Sequence, residues 1–329
     1  MNRYIAALLT VAVGTAVIPA VPVYLAGRRT PPESTPIAGQ AVEKTERKGF
    51  RVLDTASGEV LDVPLRDYLI GAAAAEMPVS FGEEALKAQI VAAHTYAVRQ
   101  CMREETSPTP ELRGADFSND TSRYQGYFTE SQMKSCYGSA YEESIAKLSA
   151  AVDEVMPYVL TYGGEPIIAA FHSMSPGRTE SAGDVWGTPV EYLVPVDSTA
   201  DISAPRYMEE ARFPEPVLRK RLTEAFPGIN LGSDPAQWIS VGETTESGTV
   251  LTALAGDRCV TGNELREALG LRSACFTVAG AEDGITVTTR GFGHGVGLSQ
   301  YGADAMARDG SSWHEILEHY YPGCTIEAV

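Results

Sequence analysis

From residue 65 to residue 76 the apolar positions Leu65, Tyr68, Leu69 and Ala72 recur at three- and four-residue spacing. This predicts a helix that Pro64 opens and Pro78 ends. Upstream, Phe50 to Val63 alternates about Ser57-Gly58 and predicts a β-hairpin. Downstream, Ser80 and Glu83 have the spacing of a capping box. A long helix follows from about residue 83 to 103, with Leu86, Ile90, Ala93, Ala97 and Cys101 on one face. Residues 106–128 are polar and turn-rich and predict a loop over whatever the two helices hold. Further on, the pattern predicts a helix over 140–155, a hairpin over 158–172 about Gly163-Gly164, and a helix over 262–269 behind a second capping box, Thr261 and Glu264. Strands follow near Phe276 and over 285–289, and helices over 300–307 and 313–321 close the chain. Strand and helix do not alternate regularly and no repeat is evident, so the fold class is α+β.

The N-terminal pattern differs. Tyr4 to Ala26 carries no charge and is flanked by Arg3 and by Arg28-Arg29. That length suits a membrane-spanning helix, and Pro19 and Pro22 are tolerable near one end of it. The alternative is a cleaved signal peptide, which needs a small-residue cleavage site; no clean one is visible. The organisation read here is a signal-anchor over 1–27, a flexible stalk over 28–48 rich in Pro, Thr, Glu and Lys, and a folded domain over 49–329. Under either alternative the bulk of the chain is exported.

Charge narrows the partners. With 43 acidic and 26 basic residues the net charge is −17, which argues against nucleic acid. The five cysteines, Cys101, Cys136, Cys259, Cys275 and Cys324, form no CxxC pair and no zinc-ligand spacing. Export permits disulfides, but the odd count leaves one cysteine over, and spacing assigns no pairing.

The candidate for chemistry is Glu76, in Gly71-Ala72-Ala73-Ala74-Ala75-Glu76-Met77-Pro78. Small apolar neighbours favour the neutral acid, and the helix C-terminus disfavours the anion, so two local effects raise its pKa. A carboxyl kept protonated near neutral pH can donate to a leaving glycosidic oxygen. The plainer reading is a capped or paired carboxylate at a helix end. Two further blocks are dense in polar groups. One runs Phe171-His172-Ser173-Met174-Ser175-Pro176-Gly177-Arg178-Thr179-Glu180, and the other is the glycine-rich run Gly291 to Gly302 with His294, Ser299, Gln300 and Tyr301. That run is either a site where backbone approaches a ligand or a tight turn opening a helix. A serine hydrolase built from Ser173 or Ser299 with His172 or His294 lacks the GxSxG elbow. His314 and His319 are off the spacing of helical zinc ligands.

Together these residues resemble the stage II sporulation protein D family. The resemblance rests on Val63 to Gly71, Ala75-Glu76-Met77-Pro78, Ala85 to Ala97, Phe171 to Trp186, Gly291 to Ala303 and Tyr320-Tyr321-Pro322-Gly323. It covers roughly residues 50–324. It implies mixed helices and short antiparallel strands around one catalytic groove, with an N-terminal transmembrane helix. The implied activity is a lytic transglycosylase that cleaves peptidoglycan glycan strands between N-acetylmuramic acid and N-acetylglucosamine, leaving 1,6-anhydro ends. The strands are ones already stripped of stem peptides, and the setting is septal wall remodelling during engulfment. Glu76 falls on the family's catalytic glutamate, and His94, His172, Ser173, Arg178, His294, Ser299, Gln300 and Tyr301 are candidates for substrate binding. Implied partners are a membrane-anchored cell-wall amidase and a multi-pass membrane scaffold; the implied location is the membrane of the sporulation septum, with the catalytic domain outside the cytoplasm.

Three departures stand out. The family usually has arginine at His94. It usually has Gly-Gly-Lys at Pro176-Gly177-Arg178. Some relatives bind zinc in the loop, where this chain has Ser118, Arg123 and Tyr124, so neither zinc nor another cofactor is expected. Relatives described as amidase enhancers supply the competing reading, a glycan-binding module that stimulates a partner. A structural septal protein is a third.

Overall fold

The computed structural model describes residues 48–121 and 123–329. The expected anchor over 1–27 and residues 28–47 of the stalk lie outside them. Among the described residues no helix is long and apolar enough to cross a membrane.

The chain opens with the expected hairpin, β1 (Gly49–Leu53) and β2 (Val60–Pro64), which is antiparallel. Pro64 then precedes α1 (Leu65–Glu76), and α2 (Glu83–Thr106) follows after an elbow. The elbow does not use the expected capping box. Ser80 is exposed and outside the helix, the N-cap is Gly82, and no side chain caps it. A local turn, Phe81 N–H to Pro78 O, takes up residues 78–81, so Ser80 lies ahead of the N-cap while the helix still starts at Glu83 as expected. Distant residues brace the elbow instead. Lys147 donates to the carbonyls of Val79 (2.7 Å) and Phe81 (2.6 Å), and Gly82 N–H donates to Asp304 (2.7 Å).

Helix α2 is buried almost all round from Ala85 to Thr95 rather than on one face. A helix surrounded in this way is the centre of its domain. Its neighbours are α1, α4 (Tyr141–Val155), β4 (Tyr158–Tyr162), α8 (Gln300–Arg308) and α9 (Trp313–Tyr320). Alanines at 85, 88, 92, 93 and 97 are all buried and let these neighbours approach closely. Before α4 a further helix, α3 (Glu130–Tyr137), is opened by a capping box of Thr129 and Gln132. β3 (Phe117–Ser118) adds to β1 in parallel.

The hairpin about Gly163-Gly164 joins β4 to β5 (Glu165–Pro166), and β14 (Thr325–Ala328) completes that sheet on the other edge of β4. Both glycines have positive φ, 62° and 84°, as a tight hairpin turn requires. β6 (Phe171–His172) does not continue the hairpin. It pairs in parallel with β13 (Leu298–Ser299), far along the chain. The expected antiparallel character thus holds for most strands, with β1–β3 and β6–β13 as parallel exceptions.

The buried residues fall into two cores. One runs from Phe50 to Leu193 and resumes at Val296 to Tyr321. The other is confined to Phe213–Val287. This inserted lobe carries β7 (Met208–Pro214), β8 (Ile239–Val241), β9 (Thr252–Ala255), β10 (Arg258–Thr261), β11 (Phe276–Ala281) and β12 (Gly284–Arg290), in two antiparallel sheets ordered β10-β9-β8 and β11-β12-β7. Two helices pack on them, α6 (Glu215–Ala225) and α7 (Gly262–Leu269), the latter behind the expected capping box of Thr261 and Glu264. The helix α5 (Ala182–Trp186) lies in the first lobe. All five cysteines are free thiols.

Candidate active site

Glu76 is the last residue of α1, and the small residues before it let α1 sink into the first core until even the carboxyl is 1% exposed. Two glycines allow the remaining approach. Phe128 N–H donates to Gly71 O, and a Cβ on Gly71 would stand 2.5 Å from Phe128 O. Gly126 N–H donates to Glu76 Oε1 at 2.6 Å, and a Cβ on Gly126 would stand 2.8 Å from that same oxygen. Residues 125–128 are therefore laid directly across the glutamate. Tyr127 stacks on Tyr68 at 5.6 Å, and Gln125 donates to the Tyr68 hydroxyl at 3.3 Å.

Burial pushes the Glu76 carboxyl up to about 7, against the pull of the Gly126 N–H toward the anion. Oε1 accepts that bond, whereas Oε2 is buried with no hydrogen-bond partner among the described residues. Buried polar atoms normally find partners, so such atoms mark a place built for something else. Gln89 Nε2 and Gln125 Oε1 are in the same condition. The open groove expected at Glu76 is not what this conformation presents; the carboxyl faces the interior beneath Gly126.

Gln300 meets Glu76 directly. Its amide donates to the Glu76 main-chain carbonyl at 2.9 Å and to Gln89 Oε1 at 3.4 Å. Ser299 and Tyr301 are held to the first polar block. Tyr301 N–H donates to Ser173 O at 3.0 Å, and Ser299 Oγ donates to Asp201 Oδ1 at 2.9 Å. Tyr301 also sets its ring edge-on to Phe81 of the elbow, with centroids 5.0 Å apart.

The glycine-rich run serves packing between the two polar blocks. A Cβ on Gly293 would come within 2.6 Å of His172 Cβ, and one on Gly297 within 2.1 Å of Ala170 O. Both have positive φ, 114° and 72°. The blocks join through β6–β13, through Met174 and Phe292, and through Glu180 and Val296. His172 is fully buried and donates from Nδ1 to Val296 O at 3.1 Å, leaving Nε2 without a partner. His294, half-buried, lies 5.6 Å from it and 5.4 Å from Trp186. Loss of water holds the His172 pKa at about 4 and that of His294 well below its usual value, and the buried Arg266 adds to both effects. Both rings are therefore neutral donors or acceptors at neutral pH.

Two candidates lie elsewhere. His94 is buried in the first core, with Nδ1 3.1 Å from Tyr158 O and its ring against Phe50. Arg178 is exposed, on a stretch bridged to Asp197. Ser173 is buried, with an Oγ that has no partner among the described residues.

The sequence reading missed Asp201, Gln89 and Gly126. Asp201 is buried and accepts from Ser175 N–H and Oγ, Ser198 Oγ and Ser299 Oγ, so one carboxylate fixes both polar blocks. Gln89 was legible only as a polar residue within an apolar helix; Asp201 sits in the short 3-10 helix Thr199–Ser203 and Gly126 in a loop, neither with a periodic signal. Among the described residues no group of three or more His, Cys, Asp or Glu is arranged to hold a metal ion.

Comparison with known proteins completes the picture. A family model described as stage II sporulation protein (SpoIID) matches residues 54–162. Stage II sporulation protein D of Bacillus subtilis (strain 168) is 37% identical over 295 residues, covering 89% of this chain and 83% of that protein. The protein of the same name from Bacillus amyloliquefaciens is 40% identical over 276 residues, covering 84% and 77%. An amidase enhancer of Bacillus subtilis (strain 168) is 28% identical over 299 residues, covering 76% of this chain and 39% of that protein.

Proposed function

Because the chain belongs to the stage II sporulation protein D family, a family of sporulation proteins, we propose that it is a lytic transglycosylase. It cleaves the bond between N-acetylmuramic acid and N-acetylglucosamine in peptide-stripped glycan during septal wall remodelling. The observation that carries this reading is the Glu76 carboxyl itself, buried and neutral up to about pH 7, with one oxygen engaged and the other unpartnered.

In this reading the two oxygens divide the labour. The Gly126 N–H marks Oε1 as the carbonyl oxygen, so the acid proton sits on Oε2. Oε2 protonates the glycosidic oxygen as the sugar ring becomes oxocarbenium-like. The carboxylate left behind takes the proton of the C6 hydroxyl as that oxygen closes the anhydro ring onto C1. The proton count balances and one carboxyl suffices. As negative charge gathers on Glu76, the Gly126 N–H bond to it strengthens and helps to stabilise the carboxylate that proton transfer leaves. Residues 125–128 must withdraw for a glycan to reach Oε2. Tethering by the N-terminal segment, a membrane-anchored amidase that strips the strands and a multi-pass scaffold belong to the same proposal.

A second reading, a glycan-binding amidase enhancer, draws on the amidase-enhancer relative and on the closed state of Glu76. Digestion of peptide-stripped glycan by wild type and Glu76→Gln separates the two. The transglycosylase yields anhydromuramyl products by mass with wild type and none with the variant. Folded wild type yielding none, while accelerating an amidase, supports the enhancer.

A further inference from the structure

Arg272 of the inserted lobe, together with Arg206 just before the lobe, is tied by hydrogen bonds to the segment that positions Tyr301. Arg272 lies in the loop between α7 and β11, with its side chain 12% exposed. Its guanidinium stands 4.5 Å over the Phe292 ring, and its carbonyl accepts from Gly293 N–H at 3.0 Å. Phe292 exchanges two main-chain hydrogen bonds with Met174, the residue after Ser173, whose carbonyl holds Tyr301. Arg272 is thereby fixed to the segment that positions Tyr301, one residue from the glutamine on Glu76. Its charge reaches the Tyr301 phenol, partly offsetting the effect of burial there.

The second arginine, Arg206, is exposed and held in the left-handed region at φ 58°. Its carbonyl accepts a hydrogen bond from Arg272, and both guanidinium groups share one carboxylate, Glu209. Two cations on one anion leave a surplus positive charge. Asp304, an acid whose charge reaches Tyr301, is already engaged by Gly82 N–H and by Arg308. In a chain of net charge −17 such a surplus beside the candidate site calls for an anionic ligand. An arginine backed by an aromatic face and already held at one nitrogen suits a planar carboxylate.

We infer that Arg272, with Arg206 behind it, is a carboxylate-binding subsite that takes the free lactyl carboxylate of a muramic acid residue. This rests on the proposed glycan substrate and goes beyond it by naming the discriminating group. An intact stem peptide occupies that carboxyl as an amide and removes the charge. The subsite therefore makes the preference for stripped strands a property of the protein's own residues, independent of any partner.

The test compares peptide-stripped glycan with the same strands after conversion of the lactyl carboxyls to methylamides. Wild type is expected to show a KM roughly tenfold lower on the carboxylate form, a preference that shrinks as NaCl rises. Arg272→Gln raises KM roughly tenfold on the carboxylate form alone, with kcat within about twofold. Equal KM for wild type on the two glycans, or an equal rise on both in the variant, overturns the inference. Arg272 also packs on Phe292, so two measurements guard against misfolding. Arg206→Gln, at an exposed side chain, gives a smaller shift of the same selectivity. Direct binding of the Glu76→Gln protein to the two glycans reads the preference without catalysis, and equal affinities there overturn the inference. Absence of anhydro product from wild type defeats the proposed activity instead, and the binding comparison still decides the subsite.

Discussion

Gln300 donates its side-chain amide to the main-chain carbonyl of Glu76 across 224 residues of chain. That carbonyl is one of the last in α1 and has no partner within the helix. The glycine-rich block thus acts as the C-terminal cap of the helix that carries the candidate acid. Replacing Gln300 with Leu strands a buried carbonyl and should cost about 1–3 kcal/mol. The helix end would also lose its fixed position, with anhydromuramyl product formation falling at least about tenfold. Thermal unfolding and product mass measure the two effects separately.

Gly126→Ala tests the close approach. Its Cβ would meet Glu76 Oε1 at 2.8 Å and Ala75 Cβ at 3.1 Å, so the carboxyl or the loop must shift. We expect about 1–3 kcal/mol of destabilisation from overpacking. A displacement on the order of 1 Å at the acid should lower turnover about 100-fold, so the loss of rate should exceed what loss of folded protein explains. Rates normalised to folded fraction check this.

The raised Glu76 pKa fixes a pH dependence. Between about pH 4.5, its ordinary value, and about 7, its folded value, the unfolded chain releases this proton and the folded chain keeps it. Unfolding therefore becomes easier as pH rises through that window, and the burden is complete above it. Glu76→Gln removes it. The variant should gain stability over wild type from pH 5 to 8, by about 3 kcal/mol at most at about 1.4 kcal/mol per pH unit, and the gap should vanish below pH 4. Denaturant unfolding at several pH values measures it. Wild-type activity should fall above about pH 7 as the acid ionises.

His94→Arg restores the side chain usual in the resembling family, but here the position is buried against Phe50 and the Tyr158 carbonyl. A larger cation at 1% exposure should destabilise by at least about 2 kcal/mol without raising activity. Circular dichroism melting and product assays check it; a stable, more active variant would place this residue in ligand contact.

The elements around Glu76 were legible because local signals agree there. Alternation marked β1 and β2, and Pro64 and Pro78 bracket α1 within a residue or two. The raised acidity was also legible, since alanines before Glu76 and a helix end both act locally. What failed was information carried by distance. Ser80 and Glu83 match a capping box in sequence, but the elbow is braced by Lys147 and Asp304. The glycines of the 291–302 run suit close approach to a ligand, yet what approaches is His172 of the other block and Ala170 just before it. Asp201 sits in a one-turn 3-10 helix too short to show periodicity, and two of the three serines that converge on it, Ser175 and Ser299, are distant in sequence.

The inserted lobe has a temporal consequence. A chain made from its N-terminus delivers the glutamate early, then must add a separately packed body before Gln300 emerges. Until then helix α1 ends on a bare carbonyl, and strand β6 has no mate. The order of synthesis is thereby a timer: the helix that carries Glu76 stays unfinished at its C-terminus until the chain has grown past residue 300.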